Sequence, residues 1–350
     1  MLNKNIKKIL LFGGTFDPVH LGHVNICKEA IKKIKPDLTI IMPNKNPPLK
    51  PNDVFATAHD RIEMLKLAFK NIPKLIISDH EARSISDQPS YTSQTIKWLK
   101  RQYPQATIYL LVGYDRLMDF EQWHNYKYIL DNVKIVAGIR KSKEKLPLNI
   151  DIIPLSYKPI EASGQSLRDC LDLKLIDPNV LKYIRKHYLY LEGQIRPLIN
   201  DHRFQHTLRV RDTALRIAIN NDFEALNKVI VAAMYHDICK QCNEKEILKI
   251  CEGVNTSMYP TWHTLHGLAA SIVMEDKYGI KDREVLNAVK NHCIPSKNID
   301  TLGKIIYLAD KLEPARTEED IPNRKKYLEL ADHDIDKAFD QVLKITQEKY

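Results

Sequence analysis

The sequence lacks any apolar run that could cross a membrane or serve as a signal peptide. Near the amino terminus the apolar stretch Ile9–Phe12 follows three lysines and is too short for either role. The six cysteines are too scattered along 350 residues for a disulfide framework. Internal repeats and low-complexity segments are also missing. We therefore expect a cytoplasmic globular protein with reduced thiols and no membrane partner.

The chain is long enough for two ordinary domains, and its charge divides along its length. Residues 1–190 carry a clear excess of lysine and arginine, whereas residues 191–350 are slightly acidic. A basic half suits a polyanionic substrate such as a nucleotide, but by charge alone a nucleic acid or a plain lysine-rich surface fits equally well. No pattern of aromatic and basic residues supports nucleic acid, and we expect none as partner.

Two patterns of secondary structure follow one another. Up to about residue 190, short runs rich in β-branched residues alternate with helix-length segments, one of them at 116–130, which predicts a doubly wound α/β domain with a parallel sheet. Beyond Gly193 and Pro197 the strand-like runs stop, and helical periodicity continues to the end. The sequence thus predicts an α/β domain at 1–192 followed by an all-α domain at 193–350.

The stretch LLFGGTFDPVHLGH at residues 10–23 joins a predicted strand to a predicted helix through a tight turn. Amides at a helix N-terminus bind phosphate, and Gly13 and Gly14 let the backbone come close to it. His20 and His23 share one helical face with Gly22 between them, so both imidazoles can contact one ligand. The pattern favours a phosphate site, with two functionless solvent-facing histidines as the alternative.

The turn GGTFDPVHLGH resembles that of the HxGH nucleotidylyltransferases, and its wording is most similar to the bacterial nicotinate mononucleotide adenylyltransferases. The likeness continues through the whole first half. Two departures stand out: Leu49-Lys50 where the family usually has His-Lys, and SGQSLR at 163–168 where it usually has SSTxIR. The other similar segments are MPNKNPPLK (42–50), HDRIEML (59–65), DHEARSISDQPSYTSQTI (79–96), LLVGYDRLMDFEQWH (110–124) and DPNVLKYIRKHYLY (177–190).

This resemblance implies a Rossmann-like domain that transfers the adenylyl group of ATP to nicotinate mononucleotide and releases pyrophosphate. Both reactants bring their own nucleophile and leaving group, so the protein mainly positions them and stabilises charge. Mg²⁺ is expected to enter with the ATP phosphates. For the aromatic residues near the pyridine ring, core packing is the alternative. The implied contacts are His20, His23, Lys50 and Arg168 for phosphate; Gly13, Gly14, Thr15 and Phe16 for the cradle; Gly113 and Asp115 for adenosine; and Tyr91, Thr92 and Trp123 for the pyridine nucleotide.

In the second half, histidines and aspartates recur on separate predicted helices. Imidazole and carboxylate ligands together suit Fe, Mn, Co or Zn. A lone histidine in a helix is usually structural, and we interpret His202 and His266 in that way. The CxxC pair Cys239 and Cys242 is interpreted as buried or incidental thiols. The candidate ligands are His206, His236, Asp237, His263, His292 and Asp310.

The adjacent pair His236-Asp237, with a histidine one helix earlier and an aspartate several helices later, resembles the HD phosphohydrolases. Residues 198–330 are similar to the bacterial YqeK family, whose members are symmetrical diadenosine tetraphosphate hydrolases with a two-metal site. The likeness implies one metal, expected to be iron, at His206, His236, Asp237 and Asp310. It implies a second metal that Asp237 shares with His263 and His292.

The same resemblance gives catalytic roles to Asp237 and Lys240 and a phosphate-binding role to Arg316. One departure is the segment HCIPSK, which begins at His292. The family usually has HTxGR at this place. Two alternatives therefore stay open for the helical half: a nucleotide-sensing regulatory module, or a hydrolase of a different nucleotide. The sequence leaves the oligomeric state open.

Overall fold

The computed structural model describes residues 6–45, 54–83, 89–138, 150–155, 160, 162–169 and 171–347. The chain divides into two compact units, one made of Met1–Arg168 and Asp172–Ile184, the other of Asp169–Leu171 and Arg185–Tyr350. The domain boundary between residues 192 and 193 stays a prediction. Among the described residues, no helix is both long and apolar enough to cross a bilayer.

The described strands of the first unit form one six-stranded parallel sheet in the order β3-β2-β1-β4-β5-β6. Successive residues of β1 point to opposite faces, yet Ile9, Leu10 and Leu11 are all fully buried, because helices cover both faces of the sheet. This confirms the predicted doubly wound α/β domain. The strands are β1 (Lys8–Gly14), β2 (Leu38–Pro43), β3 (Leu75–Ile77), β4 (Thr107–Val112), β5 (Lys134–Gly138) and β6 (Ile152–Leu155).

The strand order changes direction at β1, which pairs with β2 on one side and β4 on the other. In open parallel sheets, ligands bind in the crevice beyond the carboxyl ends of the strands at such a switch point. The turn after β1 and the turn after β4 both lie at this edge. The topology therefore places the two predicted nucleotide-binding turns next to each other.

Most helices of the α/β part follow the predicted segments; the helix predicted at 163–173 is shorter, at Gly164–Asp169. The single helix predicted at 116–130 is wrong, because the chain there forms α4, a 3-10 helix at Phe120–Gln122, and α5. Asn125, just before α5, lies in the left-handed region with φ of 55°, a conformation that asparagine tolerates better than most residues. The helices are α1 (Leu21–Ile34), α2 (Ala58–Ala68), α3 (Thr92–Gln102), α4 (Tyr114–Leu117), α5 (Tyr126–Asn132), α6 (Gly164–Asp169) and α7 (Pro178–Lys186).

The second unit is helical, as predicted. Its central helices α10 and α14 pack against each other and against α9, and they are buried around most of their circumference. Two helices were not predicted, α8 and α15. The helices are α8 (Leu191–Ile195), α9 (Asp201–Asn220), α10 (Leu226–Tyr235), α11 (Glu244–Ile250), α12 (His266–Asp276), α13 (Arg283–Asn291), α14 (Thr301–Leu312), α15 (Arg324–Ala331) and α16 (Ile335–Gln347).

Candidate active sites

The turn after β1 brings His20 and His23 into contact at the start of α1. His20 is the N-cap residue, and the two imidazole rings stack with centroids 3.7 Å apart. The backbone N–H of His20 donates to Nδ1 of His23 at 3.3 Å, and the ring of Phe16 contacts His23 edge-on at 5.0 Å. Contacts within the turn thus bring both imidazoles together at one helix N-terminus, where phosphate binds favourably.

Two glycines of this turn leave space for aromatic rings. A Cβ at Gly22 would lie 2.9 Å from Nδ1 of His20 and 3.2 Å from the carbonyl oxygen of Ile160. A Cβ at Gly14 would lie 3.0 Å from the ring of Phe16. Gly13 has ordinary clearance, with its nearest neighbour at 3.9 Å. The His20 ring can therefore occupy its observed position only because residue 22 has no side chain.

Both histidines of the turn are neutral near pH 7. Burial lowers the pKa of His20 to about 4, and burial together with the neighbouring His20 holds the pKa of His23 well below its usual value. Within the part of the chain that the structure describes, Nδ1 of His20 is buried and makes no hydrogen bond of good geometry. An unpaired buried polar atom is costly, and a phosphate oxygen can pair with that nitrogen when it carries the ring proton.

Two buried arginines hold the backbone of the turn. Nη1 of Arg61, which is 1% exposed, donates to the carbonyl oxygens of Thr15 and Asn44, both at 2.8 Å. Nη1 of Arg168 donates to the carbonyl oxygen of Asp17 at 2.7 Å. Arg61 was not predicted as a site residue, since a lone arginine in a helix carries no signal. The contact of Arg168 with ATP phosphate stays a prediction, while its contact with the turn is observed.

The predicted adenosine contacts lie at the end of β4. Gly113 is the N-cap residue of α4, and Asp115 is exposed in the first turn of that helix. Phe16, predicted for the cradle, is buried with a left-handed φ of 53°. Lys50 lies outside the described residues.

The residues predicted to contact the pyridine nucleotide lie on and near α3. Tyr91 is the N-cap residue of α3 and stacks on His124 at 4.2 Å, and Thr92 is the first residue of the helix. Trp123 stacks on Phe120 at 4.9 Å and packs against the buried cluster of the sheet. The observed contacts of Trp123 are those of core packing, and its stacking on a pyridine ring stays a prediction.

In the second unit, four imidazoles converge on the carboxylate of Asp237. Its Oδ2 lies 3.6 Å from Nε2 of His206 and 3.5 Å from Nε2 of His236. Its Oδ1 lies 3.1 Å from Nε2 of His266 and 3.5 Å from Nε2 of His292. The carboxylate therefore separates two imidazole pairs, one on each oxygen.

Five separate stretches of the helical unit supply these groups. His206 lies on α9, the pair His236-Asp237 follows α10, His266 begins α12, and His292 follows α13. Asp310 on α14 adds a second carboxylate, with Oδ1 3.1 Å from Nε2 of His206. All of these side chains are buried. So many buried polar groups in one place point to function, because unpaired burial is expensive.

The Nδ1 atom of each imidazole faces an oxygen that can only accept a hydrogen bond, so Nδ1 carries the ring proton. When such a ring is neutral, its Nε2 lone pair points to the centre of the cluster; when the ring is protonated, Nε2–H donates there instead. Such outer contacts are typical of histidines that bind metal. The pairs are His206 with Glu313 Oε1 at 3.2 Å, His236 with Ala233 O at 2.6 Å, His266 with His263 O at 2.7 Å, and His292 with Val289 O at 2.7 Å.

The donor set fits a divalent cation. The Nε2 atoms of His206 and His236 are 3.4 Å apart, and those of His266 and His292 are 3.1 Å apart. Lone pairs and carboxylate oxygens that face one another at such distances repel unless a proton or a cation lies between them. Nitrogen and carboxylate ligands suit iron, manganese, cobalt or zinc.

The electrostatics of the cluster agree with this. Burial acts to raise the pKa of Asp237, but His236 and the hydrogen bonds from His266 and His292 outweigh it and hold that pKa well below the usual range. Burial likewise opposes a charge on His292, yet its neighbours raise its pKa to about 10, whereas burial lowers the pKa of His236 to about 4. Protons and metal ions compete for such sites.

Cations also approach Asp310. Nζ of Lys311 lies 2.7 Å from Oδ2, and Nη2 of Arg316 lies 2.8 Å from Oδ1. Burial acts to raise the pKa of Asp310, but Lys311 and the hydrogen bond from His206 outweigh it and hold the pKa well below its usual value. Arg316 was predicted to bind phosphate, and the structure places it against this carboxylate.

Comparison with known proteins finds relatives for both domains. Residues 11–170 match the cytidylyltransferase-like family model, and residues 203–315 match the HD domain model. A "probable nicotinate-nucleotide adenylyltransferase/Ap4A hydrolase" of Mycoplasma genitalium is 36% identical over 317 residues, which cover 89% of this chain and 89% of that protein. This chain belongs to the nicotinate-nucleotide adenylyltransferase/Ap4A hydrolase family.

Other relatives agree. A family protein of Mycoplasma pneumoniae with the same description is 30% identical over 314 residues, covering 89% of this chain and 90% of that protein. A "probable nicotinate-nucleotide adenylyltransferase" of Clostridium tetani is 31% identical over 201 residues, covering 53% of this chain and all of that protein. The two resemblances drawn from the sequence are thereby confirmed.

For this member of the adenylyltransferase/Ap4A hydrolase family, the structure corrects one predicted ligand. It does not bring His263 to the cluster, since that imidazole is exposed and stacks on Trp262 at 3.8 Å. His266, which was interpreted as a packing histidine, takes its place beside His292. His263 lies in a 3-10 helix before α12 and contributes only its carbonyl oxygen, which accepts from His266.

A signal for His266 was present in the next residue. A Cβ at Gly267 would lie 2.9 Å from the carbonyl oxygen of Val289 and 3.0 Å from the ring of His292. The glycine thus allows α12 to approach α13 closely at the level of the cluster. Of the remaining family positions, Lys240 is exposed on the turn after Asp237.

Proposed function

We propose that this chain is a bifunctional enzyme of NAD biosynthesis and dinucleotide hydrolysis. Its α/β domain would transfer the adenylyl group of ATP to nicotinate mononucleotide, forming deamido-NAD and pyrophosphate. Its helical domain would split diadenosine tetraphosphate symmetrically into two ADP. Relatives covered over about nine tenths of their length carry both activities in their descriptions.

The stacked pair His20 and His23 at the N-terminus of α1 carries the proposal for the first activity. A phosphate oxygen of nicotinate mononucleotide forms a bond to the α-phosphorus of ATP, and the bond from that phosphorus to the bridging oxygen breaks. The imidazoles and the helix N-terminus would orient the phosphates and stabilise the charge on the leaving pyrophosphate. Arg61 and Arg168 hold the turn in place, and Mg²⁺ would enter with ATP.

The carboxylate of Asp237 between two imidazole pairs carries the proposal for the second activity. We assign one metal position to His206, His236, Asp237 and Asp310, with iron as the expected ion, and the other to Asp237, His266 and His292. Divalent cations bound there supply Lewis acidity toward phosphate and water.

The chain's own residues orient the substrate of this second reaction. A water oxygen bonds to a phosphorus atom beside the central bridging oxygen, and the bond from that phosphorus to the bridge breaks, which leaves two ADP. Lys240 and Arg316 are the proposed phosphate contacts. We further propose a cytoplasmic location, which agrees with the free thiols Cys27, Cys239, Cys242, Cys251 and Cys293 among the described residues.

The first activity is tested by pyrophosphate release from the full chain supplied with ATP, Mg²⁺ and either nicotinate or nicotinamide mononucleotide. We expect release with the nicotinate form and a loss in His20→Ala. The control is Lys28→Ala, an exposed position on the same helix. Absence of release with every mononucleotide would refute this half of the proposal.

The second activity is tested by product analysis with diadenosine tetraphosphate after loading with Fe²⁺, Mn²⁺ or Co²⁺. We expect ADP as the only product, lost in His236→Ala but retained in His333→Ala, an exposed histidine of the same unit. Tight nucleotide binding without turnover under any metal would favour a regulatory module instead. Turnover of another nucleotide alone would replace the substrate.

A further inference from the structure

The half of the helical cluster around His266 and His292 contains a sulfur atom. Sγ of Cys293 lies 3.0 Å from Nε2 of His266 and 3.2 Å from Nε2 of His292. Cys293 directly follows His292 in the segment HCIPSK. The sulfur therefore lies where two ligand nitrogens meet.

The distances among these atoms match a coordination shell. A tetrahedral ion with metal–nitrogen bonds of about 2.0–2.1 Å and a metal–sulfur bond of about 2.3 Å separates its ligand atoms by about 3.3–3.6 Å. The observed separations are 3.1 Å between the two Nε2 atoms and 3.0 and 3.2 Å from them to the sulfur. Oδ1 of Asp237 lies 3.1 and 3.5 Å from the same nitrogens. The sulfur and the two nitrogens thus form a contracted triangle of donor atoms, and the carboxylate oxygen lies beside the two nitrogens.

Hydrogen bonds between neutral groups account for less of this arrangement. A neutral thiol donates one hydrogen, so it can pair with only one of the two nitrogens. With both rings neutral, the other nitrogen would face a sulfur lone pair at close range, since the Nδ1 protons are already donated to the carbonyl oxygens of His263 and Val289. Extra protons on Nε2 would also fill the space between these atoms, and a metal ion competes with them for it. A cation shared by the sulfur and both nitrogens removes the conflict.

The opposite half of the cluster differs in chemistry. Nε2 of His206 and Nε2 of His236 face carboxylate oxygens, which are hard donors: Asp237 lies beside both nitrogens and Asp310 beside that of His206. Arg203 and Arg316 donate to the same two carboxylates. A thiolate ligand favours zinc and other thiophilic ions, whereas a site rich in oxygen ligands favours harder ions such as manganese.

We propose that Cys293 is a thiolate ligand, together with His266, His292 and Oδ1 of Asp237, and that this half of the centre selects zinc or another thiophilic divalent ion. Binding replaces the S–H bond by a sulfur–metal bond and releases the proton to solvent. The inference rests on the proposed metal dependence of the helical domain, but it does not depend on the substrate.

The test is a cobalt titration of the metal-free full chain without oxygen. We expect a near-ultraviolet charge-transfer band from sulfur to cobalt. Its intensity should stop rising once the position beside Cys293 holds one cobalt per chain. Cys293→Ser and Cys293→Thr should lose this band but keep the visible bands of cobalt held by nitrogen and oxygen, which also report that the cluster has folded. X-ray absorption of the zinc form should show one sulfur at about 2.3 Å.

Cys242→Ser is the matched control, because Cys242 is a half-buried thiol of the same unit, next to Cys239. It should leave the band unchanged, whereas Cys293→Ser should weaken zinc binding at one position on the order of tenfold or more. The proposal is overturned if the wild type binds cobalt without the band, if the band survives in Cys293→Ser, or if it disappears in Cys242→Ser.

Parallel assays separate this proposal from the proposed function. A sulfur band in a protein that does not split diadenosine tetraphosphate would support the ligand and refute the activity. Hydrolysis without a sulfur band would do the reverse.

Discussion

The two sites of this chain are built in opposite ways. The α/β site is local, since one turn and the first residues of α1 bring His20 and His23 to a contact of 3.7 Å. The helical site brings together residues as distant in the sequence as His206 and Asp310. Its side chains lie on or directly beside five helices, which must pack together to form it. A local site can be recognised from a short motif, whereas a dispersed site depends on which face of each helix turns inward.

Their electrostatics differ as well. Among the described residues of the α/β site no carboxylate offsets the effect of burial, so the histidine pKa values fall and the rings stay neutral. In the helical site Asp237 and Asp310 approach the imidazoles, and the pKa values of His206 and His292 rise in spite of burial. The first site suits an anionic ligand that brings its own cation, and the second suits a resident cation.

The largest effect should come from the pair of histidines on which sequence and structure disagree. His266→Ala should abolish hydrolysis of diadenosine tetraphosphate, because its Nε2 lies in the cluster, whereas His263→Ala should leave hydrolysis near the wild-type rate. Adenylyl transfer should be unchanged in both. Loss of hydrolysis in His263→Ala alone would show that the dispersed site is assembled differently.

The local site should respond to its motif residues in the complementary way. His23→Ala should lower the rate of adenylyl transfer by about a hundredfold, the effect of removing one preorganised donor, and should leave hydrolysis intact. Gly22→Ala should reduce transfer also, because the new Cβ displaces the His20 ring. Steady-state rates of both reactions in each variant, with Lys28→Ala as control, make the comparison; an unchanged transfer rate in His23→Ala would contradict it.

A smaller effect is expected from the carboxylate behind His206. Oε1 of Glu313 accepts from His206, and Oε2 accepts from Nε of Arg209 at 2.7 Å. Glu313→Gln should weaken metal binding by about 10- to 100-fold, as for other outer-shell partners. Equilibrium dialysis measures the affinity, with the exposed Glu329→Gln as control. Equal affinities in the two variants would show that Glu313 has no part in orienting the ligand.

The last prediction concerns the stability of the α/β unit in acid, with no change in rate or affinity near neutral pH. The pKa of His20 is lowered to about 4 in the folded state. Above pH 6.5 the ring is neutral in both the folded and the unfolded state, and the free energy of unfolding is not reduced by His20. As the pH falls toward 4, only the unfolded state takes up the proton, so the free energy of unfolding decreases. The shift corresponds to about 3 kcal/mol of unfolding free energy. Denaturant unfolding of Trp262→Phe follows this unit through Trp98 and Trp123, and His20→Gln should flatten the pH dependence. An equally steep dependence in His20→Gln would assign it to another group.

Much of the fold was predictable from patterns in the sequence. Alternating apolar runs predicted all six strands, and helical periodicity predicted most helices. The failures were short elements. The segment 116–130 leaves the helical conformation after Leu117 and again at Asn125, whose left-handed backbone no periodicity reports. The five-residue α8 is too short to show a pattern of its own, and α15 was missed although it is no shorter than α11.

By itself the sequence determined the two families, the order of the domains and the phosphate turn, because each depends on residues that are neighbours along the chain. Only the tertiary structure decided between His263 and His266, since both are histidines near the start of one helix and only packing against α13 tells which ring is buried. It also brought Cys293 to within 3.2 Å of two imidazole nitrogens and turned Arg168 toward the backbone of Asp17. Contacts between distant residues depend on how helices pack, and one-dimensional spacing does not contain that information.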